Sequence, residues 1–273
     1  MNKFVLFLVL SVTMLFCFSR NQQTHPPSLS AKYLYADILY RNALALAAQA
    51  EDNEAVEAQA DRLFQQALLQ LLIILPQTEA TGNDSLSFFI SAKAGYIHYW
   101  FDSTEAAKKK FLRAIGLKSK LPAIADSFLF TPLLYTGGIY YTQNQFDSSL
   151  AYYKRAEEIN DHYPKPLNGS QRLYNRLGVM YYETGNYRQA RNYFEKAIAL
   201  TPLTEATLRA NYQINIASML LKSGEHEQAK AVYEGLLPLN VFTDEIYHNL
   251  GIISLGQKDY KTAADQLSRV QYD

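Results

Sequence analysis

Apolar and small residues recur at helical spacing along most of this chain. A small residue is followed four positions later by a large apolar residue, and three positions after that by a second small or apolar residue. These spacings place all three residues on one helical face, where the small side chain lets two backbones approach and the large one fills the space beside it. Six such sets occur, and successive sets lie between 34 and 47 residues apart: Ala60/Phe64/Ala67, Ala107/Phe111/Ala114, Ser149/Tyr153/Ala156, Ala190/Phe194/Ala197, Ala229/Tyr233/Leu236 and Ala263/Leu267/Val270.

The stretch RLYNRLGVMYYETGNYRQARNYFEKAIALTP, residues 172–202, shows the fullest version of this pattern. It predicts two amphipathic helices that are separated at Gly185 and closed by Pro202. Because the same skeleton recurs, the chain is predicted to be an all-α stack of about six antiparallel helix-turn-helix units.

This skeleton resembles the tetratricopeptide repeat. The resemblance rests on signature positions in residues 172–202, namely Tyr174, Leu177, Gly178, Tyr181, Gly185, Tyr187, Ala190, Phe194, Ala197 and Pro202. The longer intervals resemble the variety found in kinesin light chains. The resemblance implies a right-handed superhelical solenoid over 30–273, with repeats at about 30–75, 86–118, 128–160, 171–201, 210–238 and 244–273. It also implies a scaffold that binds a protein or peptide and has no catalytic activity.

In tetratricopeptide-repeat proteins the first helices of the repeats line a concave groove that faces the ligand. By position, the resemblance implies that Tyr99, Tyr141 and Tyr182 form an aromatic ladder in this groove. The hydrogen-bonding residues that would extend the groove are Arg172, Asn175, Asn211, Asn215, His248 and Asn249. The alternative is that the three tyrosines only pack between neighbouring repeats.

The N-terminus has the pattern of an export signal. Lys3 precedes an apolar run from Phe4 to Phe18, which is long enough for a signal-peptide core but short for a membrane span. We therefore predict a signal peptide over 1–19 and a linker over 20–29, with export to the periplasm or cell envelope of a bacterium. Three interpretations stay open, namely cleavage after Ser19, an uncleaved anchor, and lipidation at Cys17, the only cysteine.

Neither the charge balance nor any motif in the sequence indicates catalysis or the binding of a cofactor or metal. Lys plus Arg and Asp plus Glu number 26 each, so there is no electrostatic case for nucleic acid or an anionic membrane surface. The GxxxxGK[ST], GxGxxG, GxSxG and HExxH motifs are all absent from the sequence. We therefore predict no catalytic residue, no cofactor and no metal, and contact with a membrane only through an uncleaved or lipidated N-terminus. Gly137 and Gly138 are interpreted as packing residues at a close helix crossing.

Two further features concern the continuity of the array. Pro76–Ser85 (PQTEATGNDS) is the most loop-like internal stretch, and we predict that it is a break between the first two hairpins. After VQYD no polar capping helix follows, which predicts that a further domain or a partner covers the last repeat.

The sequence is compatible with three hypotheses about function. The first is an exported scaffold that binds a protein or peptide. The second is the N-terminal regulatory or sensory segment of a larger enzyme, a CHAT-type protease or a signalling kinase, truncated after residue 273. The third is a structural component of a cell-envelope assembly.

Overall fold

The computed structural model describes residues 27–50 and 53–271, and in this part of the chain all regular secondary structure is helical. The segment 1–26, with the predicted signal peptide and most of the predicted linker, lies outside the described residues. The α-helices are α1 (Leu29–Ala47), α2 (Glu54–Ala80), α3 (Asp84–Trp100), α4 (Thr104–Lys118), α5 (Phe130–Thr142), α6 (Phe146–Asp161), α7 (Ser170–Glu183), α8 (Tyr187–Leu200), α9 (Ala206–Lys222), α10 (His226–Leu236), α11 (Thr243–Gly256) and α12 (Tyr260–Ser268). Short 3₁₀ helices occupy Asp126–Leu129 and Leu237–Leu239. The prediction of an all-α helical-repeat fold is confirmed.

The described residues form two compact units, one that ends at Leu86 and one that begins at Ser87. In the first unit α1 and α2 pack together as a hairpin. Ser28 caps α1 by accepting a hydrogen bond of 3.2 Å from the backbone N–H of Ala31. Helix α1 therefore begins at Leu29, inside the segment predicted as linker.

The prediction of a loop-like stretch over Pro76–Ser85 is wrong for residues 76–80 and 84–85, which are helical. Helix α2 continues through Pro76 to Ala80, and the connection to α3 contains only residues 81–83. Leu71, Ile74, Leu75 and Thr78 are all buried, so the buried face of the helix continues across the proline. Burial of that face outweighs the one backbone hydrogen bond that proline cannot donate.

In four of the five hairpins of the second unit, the helices cross where a glycine in the first helix meets a large side chain in the second. A Cβ atom added to Gly178 would lie 2.5 Å from the ring of Phe194. The corresponding distance is 2.6 Å for Gly95 and Phe111, for Gly137 and Tyr153, and for Gly251 and Leu267. Only glycine permits these crossings without displacement of the larger side chain. The packing role predicted for Gly137 is therefore confirmed.

The turn inside each hairpin of the second unit contains one residue in the left-handed conformation. These residues are Asp102, Asn144, Gly185, Gly224 and Lys258, with φ between 51° and 87°. In each turn the next residue donates its backbone N–H to the carbonyl five residues before it, as Gln145 does to Tyr140 at 2.9 Å. This is the Schellman motif, which ends the first helix and reverses the chain within a few residues.

Successive hairpins of the second unit pack against each other in chain order, through the pairs α4–α5, α6–α7, α8–α9 and α10–α11. The first helices α7 and α9 also contact each other, as do α9 and α11. The first helices α7, α9 and α11 therefore form a row, and one face of α7 and α9 carries part of the site described next.

Candidate functional site

A cavity of about 410 Å³ opens on the row of first helices in the second unit, and we call it the central cavity. Its walls come from α3, α5, α7 and α9, with one residue from α6. The lining residues are Tyr99, Leu134, Tyr135, Gly138, Tyr153, Arg172, Asn175, Arg176, Val179, Leu208, Asn211, Tyr212 and Asn215.

Helical periodicity explains which side chains reach the central cavity from α7 and α9. Helix α7 contributes four lining residues, at positions 172, 175, 176 and 179, and α9 contributes four more, at 208, 211, 212 and 215. Each set has the spacing of one helical face, so both helices turn a single face toward the cavity.

Five of the nine groove residues predicted from the sequence line the central cavity: Tyr99, Arg172, Asn175, Asn211 and Asn215. Asn175 and Asn215 are also bonded to each other, because Asn215 Nδ2 donates to Asn175 Oδ1 at 2.8 Å. This bond leaves the N–H donors of Asn175 and the amide oxygen of Asn215 free for a further partner.

The other four predicted residues, Tyr141, Tyr182, His248 and Asn249, do not line this cavity. The ring of Tyr141 packs edge-on against Phe146, with centroids 5.6 Å apart, and that of Tyr182 lies 6.2 Å from Tyr187. His248 is exposed, and Asn249 donates a hydrogen bond to the carbonyl of Glu245 in its own helix.

The structure does not form the predicted ladder of Tyr99, Tyr141 and Tyr182. The ring of Tyr99 instead lies 4.6 Å from Tyr135, which comes from the next hairpin and also contacts Tyr96 at 5.3 Å. Repeat position was the basis for grouping the three tyrosines, whereas the ring contact of Tyr99 is with Tyr135 on α5. This contact joins neighbouring repeats, and Tyr99 also lines the central cavity.

Several lining residues were missed by the sequence analysis, among them Tyr135, Arg176 and Tyr212. Arg176 could have been found, since it follows Arg172 by four positions on the same helical face. Tyr212 lies beside the predicted Asn211, but a tyrosine within an amphipathic helix gives no sign of whether its hydroxyl is paired.

Gly138 has a different role from the packing role predicted for it. A Cβ atom there would lie 3.6 Å from the hydroxyl oxygen of Tyr153 and 3.8 Å from that of Tyr99, which are ordinary contact distances. Glycine at this position therefore leaves space at the wall of the central cavity, and close helix packing does not require it.

Arg172 and Arg176 give the central cavity a positive character. The Nη1 atom of Arg172 lies 3.4 Å from the hydroxyl oxygen of Tyr135. No carboxylate forms an ion pair with either arginine within the described part of the chain. Both side chains are exposed and accessible to a ligand.

The hydroxyl group of Tyr212 is buried at the edge of this positive region. Tyr212 is only 2% exposed, and its hydroxyl finds no hydrogen-bond partner among the described residues. Burial raises the pKa of Tyr212 to about 12, while the charges of Arg172 and Arg176 oppose the rise. The hydroxyl therefore stays protonated near neutral pH and can donate a hydrogen bond.

A second cavity, of about 630 Å³, lies beside the 3₁₀ helix Asp126–Leu129 and the C-terminal end of α6. Its charged lining residues are Asp126, Arg155 and Glu158, and Asp126 is paired with Lys118 at 2.7 Å. Its apolar wall includes Leu129 and Leu133. Because its groups are of mixed charge and partly paired, this cavity points to no particular ligand.

Within residues 27–50 and 53–271, no group of three or more His, Cys, Asp or Glu side chains is arranged to hold a metal ion. Within the same ranges, no helix has the length and apolar character needed to cross a membrane.

The packed hairpins define this chain as an all-α helical-repeat solenoid. Residues 169–239, which span the hairpins α7–α8 and α9–α10, match the sequence profile of the tetratricopeptide repeat family. These residues therefore carry the tetratricopeptide-repeat pattern, and the resemblance recognised from the sequence is confirmed. The more specific likeness to kinesin light chains and the link to CHAT proteins stay predictions.

Known proteins support the same assignment. The anaphase-promoting complex subunit CDC16 of Saccharomyces cerevisiae is 25% identical over 189 residues, which are 67% of this chain and 21% of that subunit. The chain thus spans about a fifth of the length of this curated relative. The structure of PilF from Pseudomonas aeruginosa matches with a TM-score of 0.57 and 16% identity, over 86% of this chain and 90% of PilF. YrrB, described as a tetratricopeptide-repeat protein with an unusual peptide-binding site, matches with a TM-score of 0.51 and 13% identity, over 70% and 88% of the two chains. At these identities the solved structures show a shared fold.

Proposed function

We propose that this protein is a scaffold that binds an extended peptide segment of a protein partner in the central cavity. A tetratricopeptide-repeat fold is a frame for protein–protein interaction, and the observation that carries the finer proposal is the convergence of three asparagines on one cavity. Asn175, Asn211 and Asn215 all line it, and their amides can pair with the donors and acceptors of a peptide backbone.

Apolar groups beside the asparagines suit the side chains of such a peptide. Val179 and Leu208 line the cavity together with the rings of Tyr99 and Tyr135. Aromatic rings and amides in one depression are typical of surfaces that bind peptides with modest affinity and good selectivity. YrrB, which has a similar fold, is described as having a peptide-binding site, and this supports the proposal.

The test is selection of peptides from a random phage-displayed library on the immobilised full chain, followed by affinity measurement with the enriched peptides. Asn211→Ala is expected to weaken binding by about tenfold, as loss of a hydrogen bond to a ligand does. Asn249→Ala is the matched control, since Asn249 was also predicted in the groove but does not line the cavity. Circular dichroism would confirm that both variants are folded. Equal affinity of Asn211→Ala and the unchanged chain for every enriched peptide would contradict the proposal.

We also propose that the protein is exported, on the strength of the sequence pattern at 1–19 alone. Mass spectrometry of the protein recovered from fractionated bacterial cells tests this proposal and separates its three forms. Cleavage after Ser19 gives a chain that begins at Arg20, an anchor retains the whole N-terminus, and lipidation leaves an acylated Cys17 at the N-terminus. Recovery of the full, unmodified chain in the cytoplasmic fraction would contradict export.

A further inference from the structure

Two arginines on one helix face line the central cavity, and neither has a carboxylate partner within the described residues. Arg172 and Arg176 are one helical turn apart on α7, and both are exposed at the cavity wall. Some other arginines in the described ranges have an acidic partner four residues away, as Arg191 has Glu195 at 3.0 Å and Arg269 has Asp265 at 3.0 Å. The chain has equal numbers of acidic and basic residues, so a shortage of carboxylates does not explain the unpaired arginines. The two guanidinium groups concentrate positive charge at one point of the groove.

The buried hydroxyl of Tyr212 is a second and independent sign of a ligand at this point. A buried hydroxyl without a partner is unfavourable to the fold, and native proteins seldom retain one without a role. Tyr212 lines the same cavity, and the charges of Arg172 and Arg176 act on its hydroxyl. The acidic residue whose charge also acts on it, Glu205, is paired with neither arginine.

Together these groups match an oxyanion. A guanidinium group presents a fork of N–H donors that fits the two oxygens of a carboxylate, and a phenol hydroxyl can donate one more hydrogen bond to the same group. The nearby asparagines suit a peptide backbone, so the oxyanion is best supplied by a side chain of a bound peptide. A free ion would leave the amides of Asn175, Asn211 and Asn215 unused.

We infer that the central cavity is selective for an acidic peptide side chain, whose carboxylate is bound by Arg172, Arg176 and Tyr212. This inference rests on the proposed peptide-binding function and names the chemistry of its ligand. A phosphorylated serine offers the same oxyanion chemistry, and the experiment must separate these two sources.

The experiment is an NMR titration of the full chain with three capped amino acids, N-acetyl-glutamate N-methylamide, its glutamine analogue and its phosphoserine analogue. The glutamate probe is expected to bind at least about tenfold more tightly than the neutral glutamine probe, because hydrogen bonds to a charged group are the stronger ones. Its binding is expected to shift the side-chain N–H signals of Arg172 and Arg176. If the phosphoserine probe binds more tightly than glutamate, the source of the anion is a phosphorylated peptide, and if it does not, the source is a carboxylate.

Variants assign the effect to the named residues. Arg172→Gln and Arg176→Gln are each expected to weaken glutamate binding by about tenfold and to leave glutamine binding unchanged. Arg172→Lys keeps the charge but loses the planar fork, so an intermediate loss is expected. Arg188→Gln is the control, since Arg188 is exposed on α8 and does not line the cavity.

Equal binding of the glutamate and glutamine probes would overturn the inference, as would equal losses in Arg172→Gln and Arg188→Gln. The peptides selected for the proposed function separate the two failures. If those peptides require Asn211 but carry no acidic residue and ignore Arg172→Gln, peptide binding stands and the anion site is wrong. If no peptide is enriched while the glutamate probe still binds through Arg172, the anion site stands and the peptide proposal is wrong.

Discussion

Asn215 donates a hydrogen bond of 2.8 Å to the side-chain oxygen of Asn175, and this bond joins α9 to α7 at the wall of the central cavity. Asn175 is 9% exposed, so water replaces the lost partner poorly when Asn215 is changed. The bond thus links two successive hairpins and holds two candidate ligand-binding amides in one orientation. The bond therefore contributes to the stability of the stack and also fixes the geometry of the site.

Asn215→Ala is expected to lower the free energy of unfolding by about 1 kcal/mol, the net value of one partly buried hydrogen bond. In the double variant with Asn175→Ala, the loss should be smaller than the sum of the two single losses, since each removes the same bond. Urea unfolding of the full chain measures all three. Asn211→Ala on the same helix is the control, because its side chain makes no hydrogen bond within the described residues. Strict additivity of the two losses would show that the bond contributes nothing.

Gly178→Ala is expected to destabilise the fold by about 1–3 kcal/mol, as overpacking of a tight core does. The added methyl group would lie 2.5 Å from the ring of Phe194, which is itself 1% exposed and has no room to move. Gly116→Ala is the matched control, because nothing lies within 4 Å of the added atom in the exposed face of α4. That change should stabilise the helix by about 0.5–1 kcal/mol. Thermal unfolding compares the two, and an equal effect would mean that the crossing adapts to a larger residue.

The fold could be predicted from the sequence because each helix crossing has a recognisable spacing of residues. Gly178 and Phe194 are 16 positions apart, and the same separation recurs for Gly95 with Phe111 and for Gly137 with Tyr153. Repetition makes such a pattern visible even when a single instance would mean little. The end of α2 was missed because a proline normally stops a helix, and only burial of the face around it shows that here it does not.

The site was only partly predictable, since the groove depends on which side chains converge from different hairpins. Arg172, Asn175 and Asn211 line the central cavity because position within a repeat decides which way a residue faces. The same rule selected Tyr141 and His248, which lie outside the cavity because it is limited to a few hairpins. The unpaired hydroxyl of Tyr212 is a property of three-dimensional surroundings, and no spacing rule could reveal it.

Asn160 is expected to be essential to the connection between α6 and α7. Its amide oxygen accepts hydrogen bonds from the backbone N–H of Leu167 at 2.9 Å and from the hydroxyl of Ser170 at 2.6 Å, and its Nδ2 donates to the hydroxyl of Tyr174 at 2.9 Å. Asn160→Ala should lower the free energy of unfolding by about 3 kcal/mol, at about 1 kcal/mol for each bond. Tyr174→Phe removes one bond of the three, together with the long bond of 3.4 Å that the Tyr174 hydroxyl donates to Asp161, and should cost about 1 kcal/mol. Chemical unfolding would contradict this network if the two variants were equally stable.

The stability of the protein is expected to fall in mild acid through His98. Burial, with a smaller contribution from the charge of Lys110, lowers the pKa of His98 below its usual 6.5. The unfolded chain therefore takes up a proton at a higher pH than the folded chain does, and the free energy of unfolding decreases as the pH drops below about 6.5. The free energy of unfolding of His98→Gln should fall less over that range. The control is His226→Gln, since His226 is exposed. Parallel pH profiles for the unchanged chain and His98→Gln would contradict the prediction.

Tyr212→Phe is expected to stabilise the free protein while it weakens binding of an acidic ligand. The change removes a buried hydroxyl that has no partner in the described residues, so the free energy of unfolding should rise by about 1 kcal/mol. Tyr233→Phe is the matched control, because Tyr233 is also fully buried but its hydroxyl lies 2.9 Å from the Ser218 hydroxyl in a hydrogen bond, and its loss should cost about 1 kcal/mol. The two changes in the free energy of unfolding have opposite signs because, of the two hydroxyls, only that of Tyr233 has a hydrogen-bond partner in the described part of the chain. Both variants keep the ring and its packing. Thermal unfolding without ligand, followed by titration with the capped glutamate, measures both effects of the Tyr212 change. A variant that is less stable and binds glutamate as well as the unchanged chain would show that the hydroxyl serves the fold and not a ligand.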